Sequence, residues 1–157
     1  MRTNGLVLAV AVAVVAISAA GADPPKELSA EAKRELKALG GKWRAVKFLH
    51  ADRETVPGTD DDSFVITITG GKIDLAGVAT AEVIDLDPAT DPKCLDFKAG
   101  MGSGVLKASA VYESVYKRDG DTLTWAFYHG QGKSRPTSLD KPTDPALMVM
   151  VLSRVKE

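Results

Sequence analysis

The chain predicts an all-β domain, an eight-stranded antiparallel up-and-down barrel with one N-terminal helix. Two observations on the chain point there. After one stretch of helical periodicity, the spacing of apolar residues changes to two from Lys42 onward. The eight runs that follow are short, rich in Val, Ile, Thr and aromatics, and separated by turn residues. An open sheet of eight consecutive strands would expose two edges, and closure into a barrel removes them. A β-sandwich is the alternative architecture.

Before the domain comes an address. Arg2 precedes Leu6 to Ile17, a run of Leu, Val, Ala and Ile only, which closes on Ser18-Ala19-Ala20-Gly21-Ala22. This is the layout of a secretory signal. A membrane span needs roughly 20 apolar residues, whereas this run meets Ser18, Gly21, Asp23 and two prolines. Ala20 and Ala22 satisfy the small-x-small rule, which places cleavage after Ala22 and the domain at 23–157, exported to the periplasm or secreted, with no membrane span after cleavage. Cys94 is the single cysteine, so no disulfide forms within the chain and the core alone must hold the fold. No cysteine near Ala22 offers a lipid anchor.

Ser29 can cap a helix over Ala30 to Leu39, with Leu28, Ala32, Leu36 and Leu39 forming one apolar stripe and Gly40-Gly41 ending it. Strands are expected at 42–50, 63–69, 72–75, 78–86, 93–98, 108–118, 121–129 and 146–154. Gly70-Gly71, Asp119-Gly120 and the segment from Asp87-Pro88 to Asp91-Pro92 supply the turns. In an up-and-down barrel the long loops 51–62, 99–107 and 130–145 fall at one end, the mouth. The helix and the tight turns form the floor.

Gly41-Lys42-Trp43, just after a short helix, resembles the G-x-W signature of lipocalins and related calycin barrels. Arg154 in the last strand strengthens it. In that pattern a basic residue near the final strand stacks over the Trp and closes the floor, a contact worth about 0.5–2 kcal/mol. Leu39-Gly40-Gly41-Lys42-Trp43, Leu86-Asp87-Pro88, Pro92-Lys93-Cys94-Leu95-Asp96, Tyr116 through Leu123, Arg135-Pro136-Thr137 and Val151 through Lys156 together resemble the small exported lipocalin-like domain family of planctomycete bacteria. The resemblance covers nearly all of 23–157 and implies a lipocalin-like barrel and export. It carries over no catalytic residue. The chain departs from that pattern at Ser138-Leu139, where an aromatic commonly stands, and at Cys94, where a small aliphatic residue is common.

With 20 Lys+Arg against 21 Asp+Glu, the formal charge is −1, and no basic surface is available to match a phosphate backbone. Nucleic acid is therefore not an expected partner. His129 and His50 should both end near the mouth, about 10 Å apart across the last strand. With Asp60-Asp61-Asp62 they hold the residue types of a zinc site, but no H-E-x-x-H or His-x-His spacing is present and the Asp triplet is no calcium loop. Neither a metal nor a cofactor is expected. Cys94 has Asp96 on the same face, and a neighbouring carboxylate disfavours the thiolate. Gly102-Ser103-Gly104 is a flexible loop rather than a nucleophile elbow. No catalytic residue is assigned.

Strand parity puts Phe64, Ile66, Ile68, Val83, Leu95, Phe97, Tyr112, Trp125, Phe127 and Val149 in the lumen. Of these, Phe64, Ile66, Tyr112, Trp125 and Phe127, with His129 at the mouth and Arg135 (beside Lys133) in the last long loop, are the candidate ligand-binding residues. The expected function is non-enzymatic binding of a small apolar or amphipathic molecule in the barrel. The alternatives are an envelope module that binds another exported protein, and a hydrolase using His129, His50 or Asp60 to Asp62.

Overall fold

The computed structural model describes residues 26–51, 53–58, 64–102, 106–130 and 133–156. The segment 1–22 that the sequence suggests is a secretory signal, Asp60 to Asp62 and Ser103-Gly104 lie outside the described residues. Helix α1 (Ala30–Leu39) leads into strands β1 (Gly41–His50), β2 (Arg53–Thr55), β3 (Val65–Thr69), β4 (Lys72–Leu75), β5 (Ala79–Asp87), β6 (Lys93–Ala99), β7 (Val111–Asp119), β8 (Thr122–Tyr128) and β9 (Leu147–Arg154). All neighbours pair antiparallel, and β9 returns to β1 along seven residue pairs, from Trp43–Arg154 to His50–Met148. The sheet is thus a closed eight-stranded lipocalin-like barrel, with β2 as a short flap on β1. Closure leaves no full-length edge to cap.

The floor is built where the helix meets the seam. The Ser29 hydroxyl accepts from the Ala32 amide at 3.0 Å and starts α1. Ala32 and Leu39 are buried, and Leu28 and Leu36 pack against the same core. At its other end α1 leaves carbonyls without helical partners, and the barrel supplies donors for them. Trp43 Nε1 donates to Leu39 O at 2.8 Å, Arg154 Nη1 to Gly40 O at 2.7 Å and Arg154 Nη2 to Ala38 O at 2.8 Å. The guanidinium also lies 4.1 Å from the Trp43 ring centroid. One cation therefore stacks on an indole and compensates the negative end of the helix dipole. Gly41 must be glycine here: its φ is +118°, and a Cβ would stand 2.8 Å from Arg154 Nη1.

The loop assignment to mouth and floor holds, with one addition. The segment expected as a free loop at 51–62 contains β2, whose three residues pair with Phe48 to His50. The reason lies in β1. Its floor half pairs with β3 from Gly41 to Arg44, and a bulge between Ala45 and Lys47 then bends it away, leaving its mouth half to recruit β2. β1 and β3 consequently splay apart toward the mouth.

Strand β9 corrects one lumen assignment. Met148, Met150 and Leu152 belong to the interior, whereas Val149 packs outside with Val115, Ala126, Leu49, Leu147, Cys94 and Leu139. The segment 133–146 covers this outer face, so β9 is apolar on both sides and its sequence lacks the alternation that reveals parity.

Candidate functional site

The interior divides into two halves. Toward the floor, Leu39, Ile68, Ile73, Leu95, Tyr116, Leu123 and Trp125 surround a void of only about 10 Å³, at the lower limit for a single water molecule and far too small for a ligand. Toward the mouth, the splay of β1 from β3 opens a cavity of about 390 Å³. Phe48, Phe64, Ile66, Leu75, Phe97, Trp125, Phe127, Met148 and Met150 are among the side chains that wall it, and among the described residues Thr55 is the one polar side chain in its lining. No charge enters it from the described residues. A larger trough of about 650 Å³ on the outer face of β3 to β6 is lined by Lys72, Asp74, Glu82 and Lys98 and is open to solvent. Solvated mixed charges of this kind do not define a ligand site.

Phe97 organises the aromatic wall. Its ring centroid lies 5.2 Å from Tyr112 in a stacked pair, 5.2 Å from Trp125 and 5.5 Å from Phe127, the last two edge-on. Such contacts fix ring orientation as well as area. On the β1 side, Phe48 and Phe64 meet at 5.0 Å across the splay. Trp125 touches both halves and forms the layer between them. Its indole N–H is satisfied by Ser114 Oγ at 2.8 Å, and Ser114 in turn donates to Leu95 O. Ser114 is a fully buried polar residue spent on holding one aromatic ring.

Of the residues named from sequence, Phe64, Ile66, Phe97, Trp125 and Phe127 line the cavity. Ile68 and Leu95 fill the floor, and Val83 lies buried in the core between. Tyr112 stands behind Phe97, where its hydroxyl accepts from the Lys107 amide at 2.7 Å and so ties down the chain next to Leu106, itself a cavity residue. Arg135 is turned away from the cavity. Its guanidinium binds Asp96 Oδ1 at 2.5 Å and Oδ2 at 2.9 Å and Ser114 O at 3.0 Å, on the outer face of β6 and β7. Its backbone N–H donates to Glu113 at 2.9 Å. Cys94 sits half-buried under the same segment, and the Thr90 hydroxyl donates to its Sγ at 3.3 Å.

His50 and His129 come much closer than inter-strand spacing suggests. Both reach over Met148, and their Nε2 atoms stand 2.9 Å apart. His129 Nε2 also lies 2.9 Å from Pro145 O. A carbonyl only accepts, so this nitrogen carries the proton. Asp144, next in the chain, has its carboxyl held below the ordinary range by the Ala146 amide and by Lys133, with a smaller contribution from His129. Among the described residues no third His, Cys, Asp or Glu joins the two histidines.

At the floor, Glu35 bridges helix and barrel. Lys93 Nζ lies 2.8 Å and Tyr116 Oη 3.1 Å from its Oε1. Burial alone would raise the Glu35 carboxyl, but the hydrogen bond and charge of Lys93 and the bond from Tyr116 outweigh it and hold the group below its ordinary value. Burial and the neighbouring Glu35 carboxylate push the Tyr116 phenol far above the usual tyrosine range, so it stays a donor.

Residues that parity reasoning missed include Phe48, Leu75, Leu106, Met148 and Met150. Arg154 could have revealed the last two, since a residue stacked on the inward-facing Trp43 shares parity with Leu152, Met150 and Met148. Among the described residues no helix is long and apolar enough to cross a membrane. No family model, curated protein or solved structure matches this chain.

Proposed function

We propose that this protein is an exported, non-enzymatic carrier or sensor that takes up one small, uncharged, apolar molecule in the mouth half of its barrel. The observation that carries the reading is the contrast within a single interior, filled below Trp125 and open above it. Small-molecule sites span roughly 300–1,000 Å³ and are mostly apolar, and a cavity of about 390 Å³ lies at the compact end of that range. The apolar walls favour a neutral ligand, because a charge buried among them would lose its hydration without a partner. An amphipathic ligand fits if its polar end stays at the mouth. The apolar run of residues 6–17 supports export.

The test is a fluorescence titration with a neutral naphthylamine dye. Saturable, one-site binding with quenching of Trp125 is expected, and Ala45→Leu, which fills the cavity from β1, should weaken it at least about tenfold without loss of stability. Equal binding by that variant would reject the reading. A second reading, docking to another exported protein, has exposed Val56, Val78 and Met101 at the mouth end in its favour. A partner retained by Ala45→Leu would select it.

A further inference from the structure

The four phenylalanines of the chain, Phe48, Phe64, Phe97 and Phe127, all line the mouth cavity, and Trp125 adds a further ring. The filled half is built otherwise, with Leu39, Ile68, Ile73, Leu95 and Leu123 supplying most of its side chains. Aliphatic and aromatic carbon serve simple burial equally well. Rings sorted to the open half therefore bear on what that half contacts.

Strand order sets these rings in two opposed groups. Around the closed sheet three strands separate β1 from β6 in either direction, so Phe48 on β1 and Phe97 on β6 wall the lumen from opposite sides. Phe48 pairs with Phe64, their ring centroids 5.0 Å apart. Across the lumen Phe97, Trp125 and Phe127 hold one another at 5.2, 5.5 and 5.6 Å. Among the described residues no ring contact joins the two groups, and the cavity lies between them. Met148 and Met150, on β9 between β8 and β1, put thioethers along the side that links them. Rings and thioether sulfur both attract an aromatic guest beyond the area it buries. Size agrees. An apolar cavity of ~150 Å³ holds one benzene, so about 390 Å³ has room for about two to three rings. Trp125 closes the cavity below, and His129, further along the chain at the mouth, lies roughly 13 Å of strand rise above it. A compact polycycle fits that depth, whereas a long extended acyl chain would protrude.

We infer that the cavity selects a neutral aromatic molecule of about two to three rings, inserted between the Phe48–Phe64 pair and the Phe97 group, over a saturated molecule of the same skeleton. The inference rests on the ligand-binding reading above and names the chemical class of its ligand. A hydroxyl or similar uncharged group on the guest stays on the mouth side, where Thr55 stands.

Competition against the naphthylamine dye, by naphthol and by its fully saturated counterpart decahydronaphthol, tests it. The two share one carbon skeleton and one hydroxyl and are uncharged at neutral pH, and area burial alone gives the aromatic compound no advantage. Naphthol is expected to displace the dye from the wild type at a concentration at least about fivefold lower, the scale of a favourable ring pair. The double variant Phe48→Leu/Phe64→Leu keeps that wall apolar and should bring the ratio close to one. Weaker dye binding by the variant cancels, because the ratio is read on one protein. A wild-type ratio below about fivefold overturns the inference whatever the variant does, and leaves the carrier reading standing because the dye still binds. An undiminished ratio in the variant overturns it too, since the rings on β1 and before β3 would then not be the ones that select. A wild type that binds no dye defeats the carrier reading and this inference together.

Discussion

Trp125 and Ser114 are diagonal neighbours on the β7–β8 ladder, where Ser114 pairs with Phe127 and Trp125 with Tyr116, and they are joined by an indole N–H to hydroxyl bond of 2.8 Å in a site closed to water. This bond fixes the ring that separates the packed floor from the open mouth. Ser114→Ala should leave the indole N–H without a partner and cost about 1–3 kcal/mol. Urea denaturation measures the loss, and the emission of Trp125 should shift as its environment changes. A stability within about 0.5 kcal/mol of wild type, the noise of a neutral substitution, would contradict the assignment.

Arg154 should be the costliest charged residue to remove. Its guanidinium serves the Ala38 and Gly40 carbonyls and the Trp43 ring together, so Arg154→Ala should lose about 2–4 kcal/mol. Arg154→Lys should recover less than half, because an ammonium lacks the planar fork that spans two carbonyls while stacking. Gly41→Ala strains the same spot. A double-mutant cycle of Gly41→Ala with Arg154→Ala should be non-additive, since the new Cβ clashes with a side chain that the second substitution removes.

Glu35 sets part of the acid limit. Its folded carboxyl is held below the ordinary 4.5 of the unfolded chain. As the pH falls, the unfolded chain takes up the proton first, and stability drops until the folded carboxyl is protonated as well. The contribution is complete above the unfolded value and lost below the folded one. Glu35→Gln should therefore flatten the pH dependence of the urea midpoint as the pH falls below about 5. An unchanged slope would show that Lys93 and Tyr116 do not hold the carboxylate.

Arg135 should act as a clasp for the outer segment. Arg135→Ala frees Asp96 and the Ser114 carbonyl, at a cost of about 1–3 kcal/mol. Cys94, half-buried beneath 133–146, should then react faster with a thiol reagent. Dye binding in the cavity should not change, because Arg135 lies on the opposite side of the sheet. Unchanged thiol reactivity would mean that the apolar contacts of Leu139 and Leu147 hold the segment alone.

Much of this architecture is legible in the sequence because local chemistry agrees with the fold. Ser29 caps the expected helix, Gly40-Gly41 ends it, period-two runs mark the eight barrel strands, and Trp43 with Arg154 marks the seam. What escaped depends on contacts between distant segments. The β1 bulge resets parity in mid-strand, so Phe48 and not Lys47 faces the cavity, and β2 exists because that bulge frees a length of β1 edge. The run Leu147 to Leu152 shows no alternation because a loop covers its outer face. Inter-strand spacing placed the histidines apart, since it counts Cα positions and not the reach of two rings across Met148.

The divided interior is tested most directly by a crystal structure under xenon pressure, because a dry apolar cavity takes up the gas and a packed one does not. The account predicts xenon beside Phe97, Trp125 and Met150 on the mouth side and none between Trp125 and Trp43. An unoccupied mouth half, or gas bound beneath Trp125, would contradict it.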